Sequence, residues 1–124
     1  MKITPVLVVE TIERSLAFWV GKLGFEKTVE VPEGDRLGFV ILHKGEAEIM
    51  FQTRASVAKD VPAMISHLTG QGVGLYVEVA DFEDLLKQVS GLPVVMPERT
   101  TFYGMREIVV REPGGFAVSF AARA

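Results

Sequence analysis

Residues 3–25, ITPVLVVETIERSLAFWVGKLGF, decide the fold, because their pattern returns at residues 73–91, VGLYVEVADFEDLLKQVSG. In the first stretch, Ile3 to Val9 is a short, almost continuously apolar, Val-rich run, which marks a strand buried on both faces. Pro5 cannot donate to a ladder and fits an edge, a bend or a hinge. Ile12, Leu16, Trp19, Val20 and Leu23 then recur at helical spacing and share one face. Thr11 is placed to cap that helix, Lys22 suits its last turn, and Gly24 stands where a helix ends. In the second stretch Val73 to Ala80 reads as a strand and Asp81 as an N-cap. Phe82, Leu85, Leu86 and Val89 form the helix face, and Gly91 is the stop.

Outward from these two starts, each half continues in the same way. Strands are predicted at Phe25 to Val31, Arg36 to His43 and Ala47 to Thr53. A turn at Pro32-Glu33-Gly34-Asp35 and a hairpin at Lys44-Gly45-Glu46 separate them. In the second half the strands are Leu92 to Met96, Met105 to Arg111 and Phe116 to Ala122, with a loop from Pro97 to Tyr103 and a turn at Glu112-Pro113-Gly114-Gly115. Strand–helix–strand–strand–strand therefore occurs twice, with Val8 matching Val79 and Met50 matching Ser119. Residues 54–72, with Pro62, Gly70 and Gly72, read as a linker holding one helical turn or two. The expectation is one α+β domain: module one at 1–53, linker at 54–72, module two at 73–124. Together the two βαβββ modules would form a cupped, mixed eight-stranded sheet with helices on its outer face.

Composition narrows the function. The chain has 124 residues, 48% of them apolar, enough for a real core and too apolar for disorder. The longest apolar runs, Pro5 to Val9 and Leu92 to Pro97, are too short to cross a bilayer, and with no basic flank leading from Met1-Lys2-Ile3 into a long apolar stretch no secretory signal is expected. A net charge of −3 gives no reason to expect a nucleic-acid partner. The chain has no cysteine, which excludes disulfides, thiolate metal sites and a cysteine nucleophile. A small, soluble, cytoplasmic domain is expected.

Strand alternation assigns side chains to the helix-covered face or to the concave face. Val6, Val8, Val40, Leu42, Ile49, Phe51, Leu75, Val77, Val79, Ile108, Val110, Val118 and Phe120 go to the core. That leaves Ile3, Pro5, Leu7, Phe39, Ile41, His43, Glu48, Met50, Gln52, Gly74, Tyr76, Glu78, Glu107, Val109, Ala117 and Ser119 for the concavity. Phe102 and Tyr103, in the loop, reach its rim. Aromatic walls with fixed negative charge suit a flat or cationic organic ligand.

The doubled module, with Thr4-Pro5-Val6-Leu7, Ser15-Leu16-Ala17-Phe18-Trp19, Leu23-Gly24-Phe25-Glu26-Lys27, Tyr76-Val77-Glu78-Val79 and Gly104-Met105-Arg106-Glu107, resembles the vicinal oxygen chelate superfamily. That superfamily contains glyoxalase I, extradiol dioxygenases and the fosfomycin- and bleomycin-resistance proteins, and the chain looks most like the bleomycin-resistance group. Its metal enzymes place ligands on the first and last strands of each module. Carried over, those positions are Ile3, Met50, Gly74 and Ser119, none of which offers a hard divalent cation the imidazole or carboxylate it prefers. The resemblance thus implies a site with no metal and no other cofactor, and no catalytic residue. It implies instead a dimer that sequesters a drug-like molecule and exchanges its first strand about Pro5. Phe39 and Tyr76 stand where that group carries Phe and Trp. The family turn Asp-Pro-x-Gly-Asn is replaced here by Glu112-Pro113-Gly114-Gly115-Phe116.

The expected ligand contacts are Phe39, Ile41, Met50, Tyr76, Glu78, Phe102, Tyr103, Glu107 and Ser119. Stacking on Phe39 and Tyr76 would hold an aromatic ligand, and Glu78 and Glu107 would complement a positive charge. The carboxylates could equally pair with Arg99 or Arg106. His43 reads as a solvated histidine near a hairpin, His67 as surface, and Trp19 as core or dimer packing. The runner-up is a metal-dependent lyase or dioxygenase using His43, Glu48 and Glu107. A third reading is an interaction domain whose concavity is filled by its own side chains.

Overall fold

The computed structural model describes residues 2–68 and 73–124, so the end of the predicted linker, 69–72, lies outside the described residues. The chain divides into two compact units, Met1–Gly70 and Gln71–Ala124. The first contains β1 (Val6–Val9), α1 (Glu13–Trp19), β2 (Glu26–Glu33), β3 (Arg36–Lys44), β4 (Ala47–Thr53), α2 (Arg54–Asp60) and a 3-10 helix at Pro62–His67. The second contains β5 (Leu75–Glu78), α3 (Phe82–Gln88), β6 (Val94–Thr100), β7 (Met105–Arg111) and β8 (Ala117–Arg123). Each unit builds one four-stranded mixed sheet, in the orders β1-β4-β3-β2 and β5-β8-β7-β6. The first strand of each runs parallel to the last, and the remaining pairs are antiparallel. The fold is α+β, and the strand–helix–strand–strand–strand order is present in both units.

In the first unit α1 covers one sheet face. The Trp19 ring meets Phe18 and Phe25 edge-on at 5.5 and 5.3 Å and lies 6.1 Å from Phe51. Beneath these rings Val40, Leu42, Ile49 and Phe51 are buried, while Phe39, Ile41, Met50 and Gln52 on the alternate positions are half-exposed. The first strand has the opposite phase to the expected one. Leu7 pairs with Phe51 and is 2% exposed, whereas Val6 pairs with Met50 and is 48% exposed. Directly paired residues share a face, so Leu7 and Val9 join the core and Val6 and Val8 lie on the other side. The start of α1 also differs. Its N-cap is Ile12, with no side-chain cap bond, and Glu13 in the first turn instead accepts the Leu37 backbone N–H at 2.8 Å. Ser15 and Phe18 are buried on the helix, and Val20 is exposed.

The segment read as a linker with one helical turn or two holds α2 and the 3-10 helix. Thr53 caps it by accepting the Ser56 N–H at 3.1 Å, Val57 is buried, and Pro62 opens the 3-10 helix. Proline suits that first position because its missing N–H would go unpaired there anyway.

In the second unit Asp81 caps α3 by accepting the Asp84 N–H at 3.0 Å, as its sequence position predicts. Phe82 and Leu85 are buried with Ile108, Val110, Val118 and Phe120, and the Arg106 guanidinium lies 4.7 Å over the Phe82 ring. β6 runs on to Thr100, through part of the predicted loop. Irregular register on both sides of Met96 absorbs Pro97, and Arg99 is paired with Glu107. The turn before β8 closes with the Phe116 N–H donating to the carboxylate of Glu112, which is buried. No described helix is long and apolar enough to cross a membrane.

Candidate functional site

Each sheet has a face that its helix does not cover, and the expected contact residues divide between these two faces. On the first, antiparallel pairing sets Phe39 beside Gln52, Ile41 beside Met50 and His43 beside Glu48. All six are half-exposed. Glu48 is the polar centre. Thr4 Oγ1 donates to Oε1 at 2.6 Å, Lys2 Nζ lies 3.0 Å from the same oxygen, and His43 Nε2 contacts Oε2. The Thr4 hydroxyl and the Lys2 ammonium hold the carboxyl at about 2, against the weaker opposing effect of lost hydration, with His43 assisting. Thr28 Oγ1 lies 2.9 Å from His43 Nδ1, so both imidazole nitrogens are engaged. His43 is therefore held by contacts to Glu48 and Thr28 at the sheet surface, while His67 is exposed as expected.

On the second sheet β5, β7 and β8 bring Tyr76, Glu107 and Ser119 to one face, since Tyr76 pairs with Ser119 and both Glu78 and Glu107 pair with Ala121. Glu107 is 3% exposed. Its Oε2 accepts the Tyr76 hydroxyl at 2.6 Å and the Tyr103 hydroxyl at 3.0 Å, while Arg99 Nε and Nη2 donate to Oε1 at 3.2 and 3.0 Å. The Tyr76 bond, aided by Arg99 and Tyr103, keeps the carboxyl below its ordinary range despite burial. That same bond, together with burial and the nearby negative charge, pushes the Tyr76 phenol up to about 12. Both phenols are spent on Glu107, yet Tyr76 and Tyr103 remain 53% and 51% exposed, so their rings face outward. Phe102 is fully exposed and stacks edge-on against Tyr103 at 5.0 Å. Glu107 is thus the anchor of an aromatic wall. Of the two acids expected to meet a cation, exposed Glu78 is the one that makes no ion pair among the described residues.

The positions carried over for a metal need one correction. Val6 faces Met50 and Tyr76 faces Ser119, so stepping back two residues along each strand reaches Thr4 and Gly74. Thr4, whose hydroxyl meets Glu48 on this face, replaces Ile3 in the set. Two alcohols, a thioether and a glycine do not make a site for a hard dication. Among the described residues no three His, Cys, Asp or Glu side chains group to hold a metal ion. His43 and Glu48 of the runner-up set do meet, within the first unit.

Sequence reasoning did not assign the contacts of Lys2 and Thr4 with Glu48, nor any residue of α2. The first depends on strand phase, which an all-apolar strand conceals, and the second on a helix with few apolar residues.

A family model for the glyoxalase/bleomycin resistance protein/dioxygenase superfamily matches residues 3–120. The chain belongs to that superfamily. Comparison with curated proteins returned no match. Several solved structures share the superfamily fold at low identity. A glyoxalase/bleomycin resistance protein/dioxygenase family enzyme from Burkholderia phytofirmans PsJN is similar with a TM-score of 0.79 and 19% identity, over 98% of this chain and 97% of that one. The bleomycin-binding protein of Streptomyces verticillus, solved with copper(II)-bleomycin, gives 0.63 and 23% over 100% and 97%. A lactoylglutathione lyase from Agrobacterium tumefaciens gives 0.75 and 17% over 98% and 92%.

Proposed function

We propose that this superfamily member binds an aromatic, cationic small molecule without transforming it. The observation that carries the reading is the pair of half-exposed tyrosine rings clamped by a buried, already neutralised carboxylate. A ring fixed through its own hydroxyl loses little freedom when a ligand stacks on it, so more of the contact energy appears as affinity. Tyr76, Tyr103 and Phe102 supply π-faces and Glu78 the unpaired negative charge, with Ser119 beside Tyr76. Phe39, Ile41 and Met50 offer a second apolar surface on the first unit.

Two groups on these faces are poorly suited to proton transfer near neutral pH. A general acid or base works best with a pKa near the working pH. Here Glu48 is held at about 2 and Tyr76 at about 12, both far from neutrality. The donor set at the family's metal positions likewise favours no Lewis acid. The likeness to a bleomycin-binding protein is consistent with a sequestering role. In this reading the chain works as a homodimer, with the pocket completed at the dimer interface.

The test is a titration of chelator-treated protein with bleomycin and with simpler aromatic ammonium compounds, followed by calorimetry. Saturable binding that weakens at least tenfold in Y76A supports the proposal. One equivalent of zinc, iron or manganese retained by protein purified without chelator, together with lyase or dioxygenase turnover, overturns it in favour of the metal enzyme. Sedimentation at micromolar concentration tests the dimer.

A further inference from the structure

We infer that the first unit holds a distinct subsite for an organic ammonium group, formed between its sheet and α2, with Asp60 as the charge partner. It rests on the reading of the Phe39 face as a ligand surface and adds to it a site and a recognised group. A cleft of about 510 Å³ opens here, within the usual range of small-molecule sites. Its floor is one row across three strands. Val31 pairs with Phe39, and Phe39 pairs with Gln52, so their side chains emerge side by side. Its wall is one face of α2, because Ser56, Lys59 and Asp60 stand three and four residues apart.

Two contacts tie α2 to the sheet within this lining. The Gln52 amide donates to Ser56 Oγ at 3.1 Å, and Lys59 Nζ pairs with Glu33 at 2.9 Å. Gly38 explains how the walls come so near. A Cβ there would stand 2.8 Å from Glu33 Cβ and 3.3 Å from Ser56 Cβ, so only a glycine admits this approach. Among the described residues Asp60 makes no ion pair and no side-chain hydrogen bond, although Lys59 beside it is taken by Glu33. The lining therefore carries one uncompensated negative charge at its rim, over an aromatic and aliphatic floor. That combination selects an ammonium on a flat apolar body. An anion would meet Asp60 and Glu33, and a neutral aromatic would leave Asp60 unused.

The experiment uses the full chain and 2-naphthylmethylammonium, with 2-naphthylmethanol as its uncharged counterpart, followed by amide 1H–15N NMR. The inference expects ligand-dependent shifts at Phe39, Gln52, Ser56 and Asp60. D60N, an exposed change, should leave the melting temperature unaltered and weaken the ammonium about three- to fivefold, the range open to a solvent-exposed ion pair. The alcohol should bind wild type and D60N equally. Shifts confined to Tyr76 and Tyr103, or an unchanged Kd for the ammonium in D60N, overturn the subsite and leave the broader binding role standing. Absence of shifts on either unit overturns both.

Discussion

At the scale of single residues, two carboxylates organise the two sheets, and each has a titration to match. Tyr76 donates to Glu107 over 2.6 Å, and its phenol stands at about 12 instead of the ordinary value near 10. A raised folded-state value means stability that is fully present below the unfolded pKa and is lost as pH rises from about 10 through about 12. Phenolate absorbance should therefore show Tyr76 ionising near 12, and E107Q should bring it back toward 10. An unchanged titration in E107Q would remove the anchor from the account. Glu48 runs the other way. Its depressed value gives stability present above the unfolded pKa of about 4.5 and lost as pH falls through about 2. Carbon-detected NMR should place the Glu48 carboxyl near 2, and T4V should raise it, because the Thr4 hydroxyl is the largest contributor.

At the scale of elements, short helices depend on their caps and on small residues where backbones approach. D81A removes the acceptor of the Asp84 N–H and should cost about 1 kcal/mol of unfolding free energy, read from a urea transition. G38A drives a methyl group against Glu33 and Ser56 and should cost about 1–3 kcal/mol by the same measurement, as overpacked sites do. A G38A protein as stable as wild type would mean that α2 and the end of β2 are free to part. The elements also explain what the sequence could and could not express. β3 and β4 alternate cleanly, and Phe39, Ile41 and Met50 stand on the face their parity predicts. β1 is Val-Leu-Val-Val, and a run with no polar residue carries no phase, so its faces came out reversed. α2 has one buried apolar residue, Val57, too weak a stripe to fix the bounds of the one or two helical turns expected in the linker. Pro97 signals a break, but irregular pairing lets β6 continue through Arg99 to Thr100, and that continuation carries the Arg99 guanidinium to Glu107.

At the scale of the whole molecule, the doubled strand–helix–strand–strand–strand pattern and the family match over residues 3–120 agree on the superfamily. The doubled pattern was legible because periods of two and of 3.6 residues survive where identity does not, and the superfamily was legible as a resemblance carried by stretches such as Ser15-Leu16-Ala17-Phe18-Trp19 and Tyr76-Val77-Glu78-Val79. The candidate site was less legible, since its contacts join residues far apart in sequence, such as Tyr76 with Glu107 and Thr4 with Glu48. In these contacts the Glu48 carboxyl is held at about 2 and the Tyr76 phenol at about 12. The most direct test is calorimetric titration of wild type and Y76A, both stripped of metal by chelation, with aromatic ammonium compounds up to the size of bleomycin. The stripped wild type should bind saturably, and Y76A at least tenfold more weakly. Binding that appears only when zinc, iron or manganese is restored, or that Y76A leaves untouched, would contradict it.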